Sequence, residues 1–161
     1  MSGIFRLVCS NGLTVQSADF GSVSVRHAGA RDFQQRIIDV TDQVIEDAPR
    51  TLEKIEGWKA IELTAPQREA FASAVAEVRD ATVKVEPRQL LSPRRAEDRK
   101  TDLWTTANVV QENVMKGGIS GVSGTTGRRI RTRAIGSVGE DVRLNRALWT
   151  LTEKMAELVS G

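Results

Sequence analysis

The stretch with the clearest chemical character is GGISGVSGTTGRRIRTR, which occupies residues 117–133. Five glycines fall in its first eleven residues, and four arginines fall in its last six. Glycine lets backbone N–H groups turn towards a phosphate and approach it closely. Arginine can bind phosphate oxygens through two parallel hydrogen bonds. The segment therefore predicts a nucleic-acid-binding element. A plain solvated loop and a loop that docks on an acidic protein surface are the alternatives.

The spacing of three of these arginines favours an extended ligand. Arg129, Arg131 and Arg133 alternate with uncharged residues. In an extended backbone they project to one side about 7 Å apart, close to the phosphate spacing of an extended single strand. Single-stranded DNA is therefore the preferred ligand among nucleic acids.

A second basic cluster lies in PRQLLSPRRAEDRK, residues 87–100, which its two prolines predict to be a linker or exposed loop. If it lies beside the first segment, the two form a groove for a nucleic-acid backbone. A proline-bearing surface loop without a ligand is the alternative. The residues predicted to bind nucleic acid in the two segments and between them are Arg94, Arg95, Arg99, Lys100, Lys116, Arg128, Arg129, Arg131 and Arg133.

The net charge of +2 hides an asymmetry between two parts of the chain. Residues 28–87 hold 8 basic and 12 acidic side chains, whereas residues 88–146 hold 12 basic and 6 acidic ones. Such a basic field attracts polyanions, or an acidic face on a second copy or on another protein.

Few residues are available for familiar catalysis. The chain has one cysteine, Cys9, and one histidine, His27, so that a His/Cys zinc site or a nucleophile–histidine catalytic set lacks its usual members. Cys9 is expected to be a buried apolar residue, and His27 a surface or capping residue. We therefore expect a protein that is not an enzyme and that has no catalytic residue, metal or cofactor.

Length and composition predict one domain over residues 1–161. No apolar run approaches the roughly 18 residues of a membrane span, and no signal peptide is evident. The single cysteine suits a reducing compartment. We therefore expect a cytoplasmic protein that does not contact a membrane.

The elements that must position these residues indicate an α+β fold. Strand-forming residues on both sides of Asn11-Gly12 predict an N-terminal antiparallel β-meander over residues 1–27. An acidic helical part over 28–87 follows, with a long helix kinked or divided at Pro49 and a second helix from Thr64 to before Pro87. Residues 88–161 carry the basic loops and the C-terminal helices.

The C-terminal helices are predicted over residues 101–116 and 137–159, with the Gly/Arg loop between them. This gives four or five helices in total. Trp104 and Trp149 border the apolar stripes of these two helices and are expected in the core. Polar strips that contain Gln111 and Asn145 are expected to hydrogen-bond these two helices together.

Three motifs resemble one known family. TDLWTTANVVQENVMKGGISG, TGRRIRTRAI and LNRALWTLTEKMAEL are similar, in this order, to the phage/plasmid-like domain of unknown function 932 family, in its prophage-encoded enterobacterial branch. FRLVCSNGL matches the family element R-[LV]-V-C-[ST]-N-G-[LM]. In the family that element follows a strand-rich region, so this chain is expected to lack the N-terminal region, as a naturally short or a trimmed form.

The resemblance implies a mobile element, near genes for recombination or for countering host defence. The leading hypothesis is a nucleic-acid-binding protein that anneals single strands in recombination. In a homo-oligomer, the repeated basic groove would hold a strand along its backbone. The alternative is an inhibitor of a host defence protein of the restriction or CRISPR type. Its acidic helical face would then imitate a run of phosphates, or its basic loop would occupy a protein cleft. That face comprises Asp39, Asp42, Glu46, Asp47 and Glu53.

Overall fold

A computed structural model describes residues 2–4, 7–8, 14–15, 22–24 and 30–161 of the chain. Contacts within the chain divide it into two compact units, residues 1–56 and residues 57–161. This boundary lies within a helix. It differs from the boundaries at residues 27 and 87 that the sequence predicted between the parts of the chain. The single domain over residues 1–161 stays a prediction.

Short antiparallel strands form two separate pairs in the first unit. They are β1 (Ser2–Ile4), β2 (Leu7–Val8), β3 (Thr14–Val15) and β4 (Ser22–Ser24). β1 pairs with β4, and β2 pairs with β3. The predicted meander is therefore wrong, because β1 pairs with the last strand and not with the next one. The Asn11-Gly12 turn, Cys9 and His27 lie outside the described residues.

Helix α1 (Ala30–Lys59) contains Pro49 without a break in the helix. Proline lacks the N–H that would bond to the carbonyl of Ile45. Pro49 and Ile45 are both exposed, which leaves that carbonyl open to water. The alternative of two helices that meet at Pro49 is therefore wrong.

Helix α2 (Ala65–Arg79) begins with the predicted capping box. The Thr64 N–H donates to Gln67 Oε1 at 2.8 Å, and the Gln67 N–H donates to Thr64 Oγ1 at 3.4 Å. The helix ends earlier than predicted, at Arg79 and not near Pro87. The Asp80 carboxylate accepts hydrogen bonds from the backbone and hydroxyl of Thr82, and these bonds lower the pKa of Asp80.

The segment at residues 87–100 is exposed over much of its length, as predicted, but it is folded and is not a linker. It forms helix α3 (Pro87–Leu90) and a single 3₁₀ turn (Glu97–Arg99). Leu90 is buried in the main apolar cluster, and the Asp98 side chain is also buried. Burial of these two side chains fixes a stretch whose polar composition indicates a loop.

Helices α4 (Leu103–Lys116) and α5 (Val138–Ser160) pack on α2 and confirm the two predicted C-terminal helices. Gln111 of α4 donates a hydrogen bond to Asn145 of α5, as the polar strips predicted. The fully buried members of the core between these helices and α3 include Phe71, Val75, Leu90, Val110, Val114 and Leu144.

The three tryptophans of the chain are buried in the second unit. The ring of Trp58 lies 4.6 Å from that of Trp149 and 6.1 Å from that of Trp104, measured between ring centres. The core positions predicted for Trp104 and Trp149 are confirmed.

A three-stranded antiparallel sheet consists of β5 (Val83–Val85), β6 (Ser120–Ser123) and β7 (Arg129–Arg131), in the spatial order β5-β6-β7. The fold is thus a mixture of helices and sheet, as predicted. The main sheet follows α1 and α2 in the chain, and so the prediction that the sheet is N-terminal is wrong. The Gly/Arg segment supplies two strands of this sheet and is not a separate loop.

Replacement of the α2 cap tests the start of the second unit. We expect Thr64→Ala to lower the free energy of unfolding by about 1 kcal/mol, because the first turn loses its side-chain acceptor. Urea unfolding followed by tryptophan fluorescence measures this change. Thr125→Ala, at an exposed threonine of the β6–β7 turn, is the control and is expected to shift it by under about 0.5 kcal/mol. Equal effects of the two substitutions would contradict the capping role.

Candidate nucleic-acid interface

The β6–β7 hairpin is formed by residues 117–135, which contain four arginines and no acidic residue. A tight turn joins its strands: the Gly127 N–H donates to the Ser123 carbonyl at 2.8 Å, and Gly127 has a φ of +65°. The Thr126 N–H donates to Ser123 Oγ at 3.3 Å. The turn is therefore formed by the glycine conformation and by hydroxyl groups, and the four arginines lie on or beside the second strand.

The base of the hairpin is anchored where α4 ends. The Gly118 N–H donates to the Thr132 carbonyl at 2.7 Å, and the Ile119 N–H donates to Thr132 Oγ1 at 3.1 Å. Gly117 has a φ of +64° and a ψ of −152°, a combination that is nearly exclusive to glycine. A Cβ atom on Gly117 would lie 2.5 Å from the carbonyl carbon of Arg133. The backbone of the arginine-bearing strand thus packs directly on the end of α4.

Arg79 at the end of α2 provides a second anchor. Its guanidinium group donates a hydrogen bond to the backbone carbonyl of Arg133. Partial burial lowers the pKa of Arg79, and the nearby carboxylates of Glu140 and Asp80 oppose this shift. Arg79 therefore acts on the position of the Arg133 backbone and is not itself an exposed cation.

The register of the sheet separates two faces. Val85, Gly121 and Ile130 lie opposite one another on β5, β6 and β7 and form a partly or fully buried row. Gly121 leaves room for the β5 side chains, since a Cβ atom there would lie 2.9 Å from Val83 Cγ1. This face lies towards the helices, because Val85 packs against the main apolar cluster.

The opposite face of the sheet, called the outer face below, is exposed and basic. One row across it consists of Lys84, Val122 and Arg129, and the next row pairs Ser120 with Arg131. All five residues are exposed. The described strands of this face carry three cationic side chains and no carboxylate.

Among the strands that the structure describes, β7 lies at an edge of this sheet. The Ser123 N–H donates to the Arg128 carbonyl, and the Thr132 N–H donates to the Ile119 carbonyl. In an antiparallel pair these backbone bonds alternate along the strand. The backbone N–H and C=O groups of Arg129 and Arg131 therefore point to the open edge.

The four predicted arginines of the hairpin are all brought together on or beside β7. Arg128, Arg129, Arg131 and Arg133 are exposed. Their guanidinium groups form no hydrogen bond or ion pair with any residue that the structure describes. Arg129 and Arg131 share one face, as their spacing predicts, whereas Arg133 lies two residues beyond the end of β7. These charges are available to a ligand.

Three other predicted site residues bond to α4 or to the turn before it. Arg94 Nε donates to Asn113 Oδ1 at 2.7 Å, and Arg95 Nη2 donates to Glu112 Oε2 at 2.8 Å. Lys116 also pairs with Glu112. These contacts tie residues 94 and 95 to α4. Glu112 offsets charge on Arg95 and Lys116, whereas the partner of the Arg94 guanidinium group is a neutral amide.

The buried carboxylate of Asp98 completes this attachment. It accepts hydrogen bonds from the backbone N–H groups of Arg94 at 3.0 Å and Arg95 at 2.9 Å. Arg88, from the same basic cluster, pairs with Glu69 at 2.8 Å, which raises the pKa of Arg88. The cluster thus has a structural role that its sequence does not reveal.

Arg99 and Lys100 are exposed, and no described residue pairs with their side chains. They precede the first turn of α4, whereas the hairpin follows its last turn. The 14 residues of α4 separate these two positions by about 20 Å along the helix axis. These two cations therefore do not extend the outer face directly.

Lys84 is a candidate binding residue that sequence reasoning did not identify. It is exposed. In the sequence it stands alone in VKV, far from the arginines of the hairpin. Only the pairing of β5 with β6 brings it into the row of Arg129. The alternation of VKV indicates a strand with an exposed lysine, but it does not indicate the neighbouring strand.

Two further properties concern the described residues alone. Among them, no three His, Cys, Asp or Glu side chains group closely enough to hold a metal ion. None of their helices has both the length and the apolar character that crossing a membrane requires. The expectations on metal, cofactor, catalysis and cytoplasmic location stay predictions.

The fold and the site define a mixed helix-and-sheet protein with an anchored basic hairpin at a sheet edge. The chain belongs to the DUF932 family, whose model, described as a domain of unknown function, matches residues 1–149. This match confirms the family that the sequence motifs predicted. No solved structure matches the chain.

Two curated relatives come from Escherichia coli strain K12. The UPF0380 proteins YafZ and YfjQ are each 40% identical to the chain over 157 residues. The matched part covers 96% of this chain and 56% of each relative. The chain therefore spans just over half the length of these relatives.

Replacement of Gly117 tests the anchor of the hairpin. We expect Gly117→Ala to lower the free energy of unfolding by about 1–3 kcal/mol, because alanine rarely adopts this φ and its Cβ atom meets the Arg133 backbone. Thermal unfolding measures the loss. Gly139→Ala is the control, since nothing lies within 4 Å of a Cβ atom there and Gly139 is helical. It is expected to raise stability by up to about 1 kcal/mol. An unchanged stability of Gly117→Ala would show that the contact is not an anchor.

Proposed function

We propose that the protein binds single-stranded nucleic acid, DNA in preference, through its phosphate groups and without catalysis. The observation that carries this proposal is the hairpin of residues 117–135. It is free of acidic residues, is fixed at its base and has four exposed arginines without partners among the described residues. A solvated loop without a ligand needs neither the fixed base nor the shared face of Arg129 and Arg131.

The arrangement supports binding to a backbone more than the reading of a sequence. Arg129 and Arg131 stand about 7 Å apart on one face of a strand. Guanidinium groups at this spacing can contact successive phosphates of an extended strand. No aromatic side chain lies on the described strands of the sheet, so stacking on bases contributes little. Binding then releases counterions and weakens as the salt concentration rises.

The family resemblance supports a role in a phage or other mobile element. In this setting we propose that the protein anneals or protects single strands during recombination, in the bacterial cytoplasm. Several copies that bind side by side as a homo-oligomer would hold a strand along their basic faces. Each copy contributes a short row of cations, so that affinity for a long strand depends on the number of copies bound.

Replacement of the four hairpin arginines by alanine tests the assignment. At low salt we expect at least about tenfold weaker binding of a labelled single-stranded oligonucleotide. The slope of log affinity against log salt should fall by about 3, since each phosphate contact on a single strand contributes about 0.7. Fluorescence anisotropy with single- and double-stranded DNA, at low and moderate salt, measures both quantities.

A matched control replaces exposed cations elsewhere. The variant Lys59→Ala/Arg88→Ala/Arg146→Ala/Lys154→Ala removes four exposed charges of the second unit that are not among the residues predicted to bind nucleic acid. If charge alone attracts DNA, both variants lose equal affinity and the site assignment is wrong. If the parent chain does not bind DNA even at low salt, the proposed function is wrong.

A second candidate function is inhibition of a host defence protein through an acidic face of α1. Residues 37–49 of this helix hold four acidic and no basic side chains. Asp39 and Asp47 are held in place by Gln35 and Gln43, each at 2.8 Å. Ile38, Ile45 and Leu52 are exposed on the same helix at intervals of seven residues. An apolar row beside fixed carboxylates is typical of a protein-binding surface.

Capture from a bacterial lysate distinguishes the two functions. The tagged chain is incubated with nuclease-treated lysate, beside the variant Asp42→Asn/Glu46→Gln/Glu53→Gln. An inhibitor is expected to retain a specific protein after nuclease treatment. The variant is expected to lose most of it, because three of the five carboxylates of its acidic face are replaced by neutral groups. Loss of every captured protein on nuclease treatment would contradict this second function.

A further inference from the structure

We infer that the nucleic acid crosses the outer face of the sheet and does not run along β7 alone, so that Lys84 of β5 is a further phosphate-binding residue. This inference rests on the proposed function and specifies the ligand's path on the same site. It concerns a residue that lies 44 positions from Arg128 in the chain and outside both basic segments.

The strand register provides the first step. Lys84 lies opposite Val122, and Val122 lies opposite Arg129. Side chains of directly paired residues lie on the same face of a sheet. Two strand spacings of about 4.8 Å separate the backbones of Lys84 and Arg129, which places them about 10 Å apart. The long flexible side chains of lysine and arginine can reach neighbouring phosphates from these positions.

The surface between the two cations provides the second step. Val122 separates them, and 41% of its surface is exposed. Ser120 is the neighbour of Val122 on the same face of β6 and is small. The side chains in the middle of the face are therefore short, and those on both sides of it are long and basic. A phosphate fits over each cation, and a sugar or base fits over the apolar valine between them.

The free charge of Lys84 provides the third step. Lys84 forms no ion pair or hydrogen bond through its side chain with any described residue. By contrast, Lys116, Arg95 and Arg88 each pair with a carboxylate. An exposed lysine without a partner on a basic face increases the local repulsion between cations. A bound polyanion relieves that repulsion.

Glu86 limits the path on one side. It follows β5 with an extended backbone (φ −72°, ψ 120°), so its exposed side chain lies on the same side as that of Lys84. Its carboxylate repels a phosphate. The strand is therefore expected to pass over the row of Lys84 and Arg129 and away from Glu86.

Two substitutions with opposite signs test this path. Lys84→Ala is expected to weaken binding of a labelled single-stranded oligonucleotide by about two- to fivefold and to lower the salt slope by about 0.7. Glu86→Gln is expected to strengthen binding by up to about twofold, since it removes a repelling charge and keeps the shape. Lys154→Ala, at an exposed lysine of α5, is the control and should change neither quantity. Thermal unfolding verifies that each variant is folded.

The outcomes separate this inference from the proposed function. If the four-arginine variant loses binding while Lys84→Ala binds as the parent does, the ligand follows β7 alone and this inference is wrong. If Lys84→Ala and Lys154→Ala weaken binding equally, the effect is one of net charge and the inference is again wrong. If the parent chain does not bind, the proposed function and the inference both fall.

Discussion

The position of every exposed cation on the hairpin depends on the close contact between Gly117 and the backbone of Arg133. Arginines on a glycine-rich segment keep a fixed spacing only if their backbone is held, and here the end of α4 holds it. Gly117 permits the approach because it has no side chain and adopts a φ of +64°. Arg79 holds the same carbonyl from the side of α2. The charged strand is thereby connected to the apolar core, where α2 and α4 pack.

Partners within the chain divide its basic side chains into two groups. Arg88 and Arg95 pair with carboxylates and fasten the segment around α3 and the 3₁₀ turn to the helices, and Lys116 pairs with a carboxylate within α4. The hairpin arginines and Lys84 have no such partner among the described residues. The arginines of the two groups look alike in sequence, since both sets come from short segments rich in arginine. The difference between them arises from acidic residues at distant positions, such as Glu69 and Glu112, which the fold brings to one group only.

Local sequence signals predicted much of the helical fold. The features that could not be predicted depend on contacts between residues that are distant in the chain. The capping box at Thr64 and the stripe of α5 were readable because their interactions span three or four residues. The end of α2 could not be predicted in this way. The helical spacing of apolar residues continues past Arg79, but Asp80 and the β-branched residues after it end the helix. The strand pairs of the first unit join β1 to β4, which no alternation within a strand indicates. For the site, alternation placed Arg129 and Arg131 on one face, but Lys84 joins them only through the register of a third strand.

The open edge of β7 has a consequence for association between copies of the chain. Its outward N–H and C=O groups at Arg129 and Arg131 are the kind that pair with another strand and start aggregation. Two such edges that met in antiparallel register would bring guanidinium groups directly opposite one another, which is unfavourable. The arginines therefore act as gatekeepers that keep an exposed strand soluble. Substitutions that neutralise these arginines also remove this protection. A hairpin without them is uncharged and also has a strand edge that is prone to aggregation.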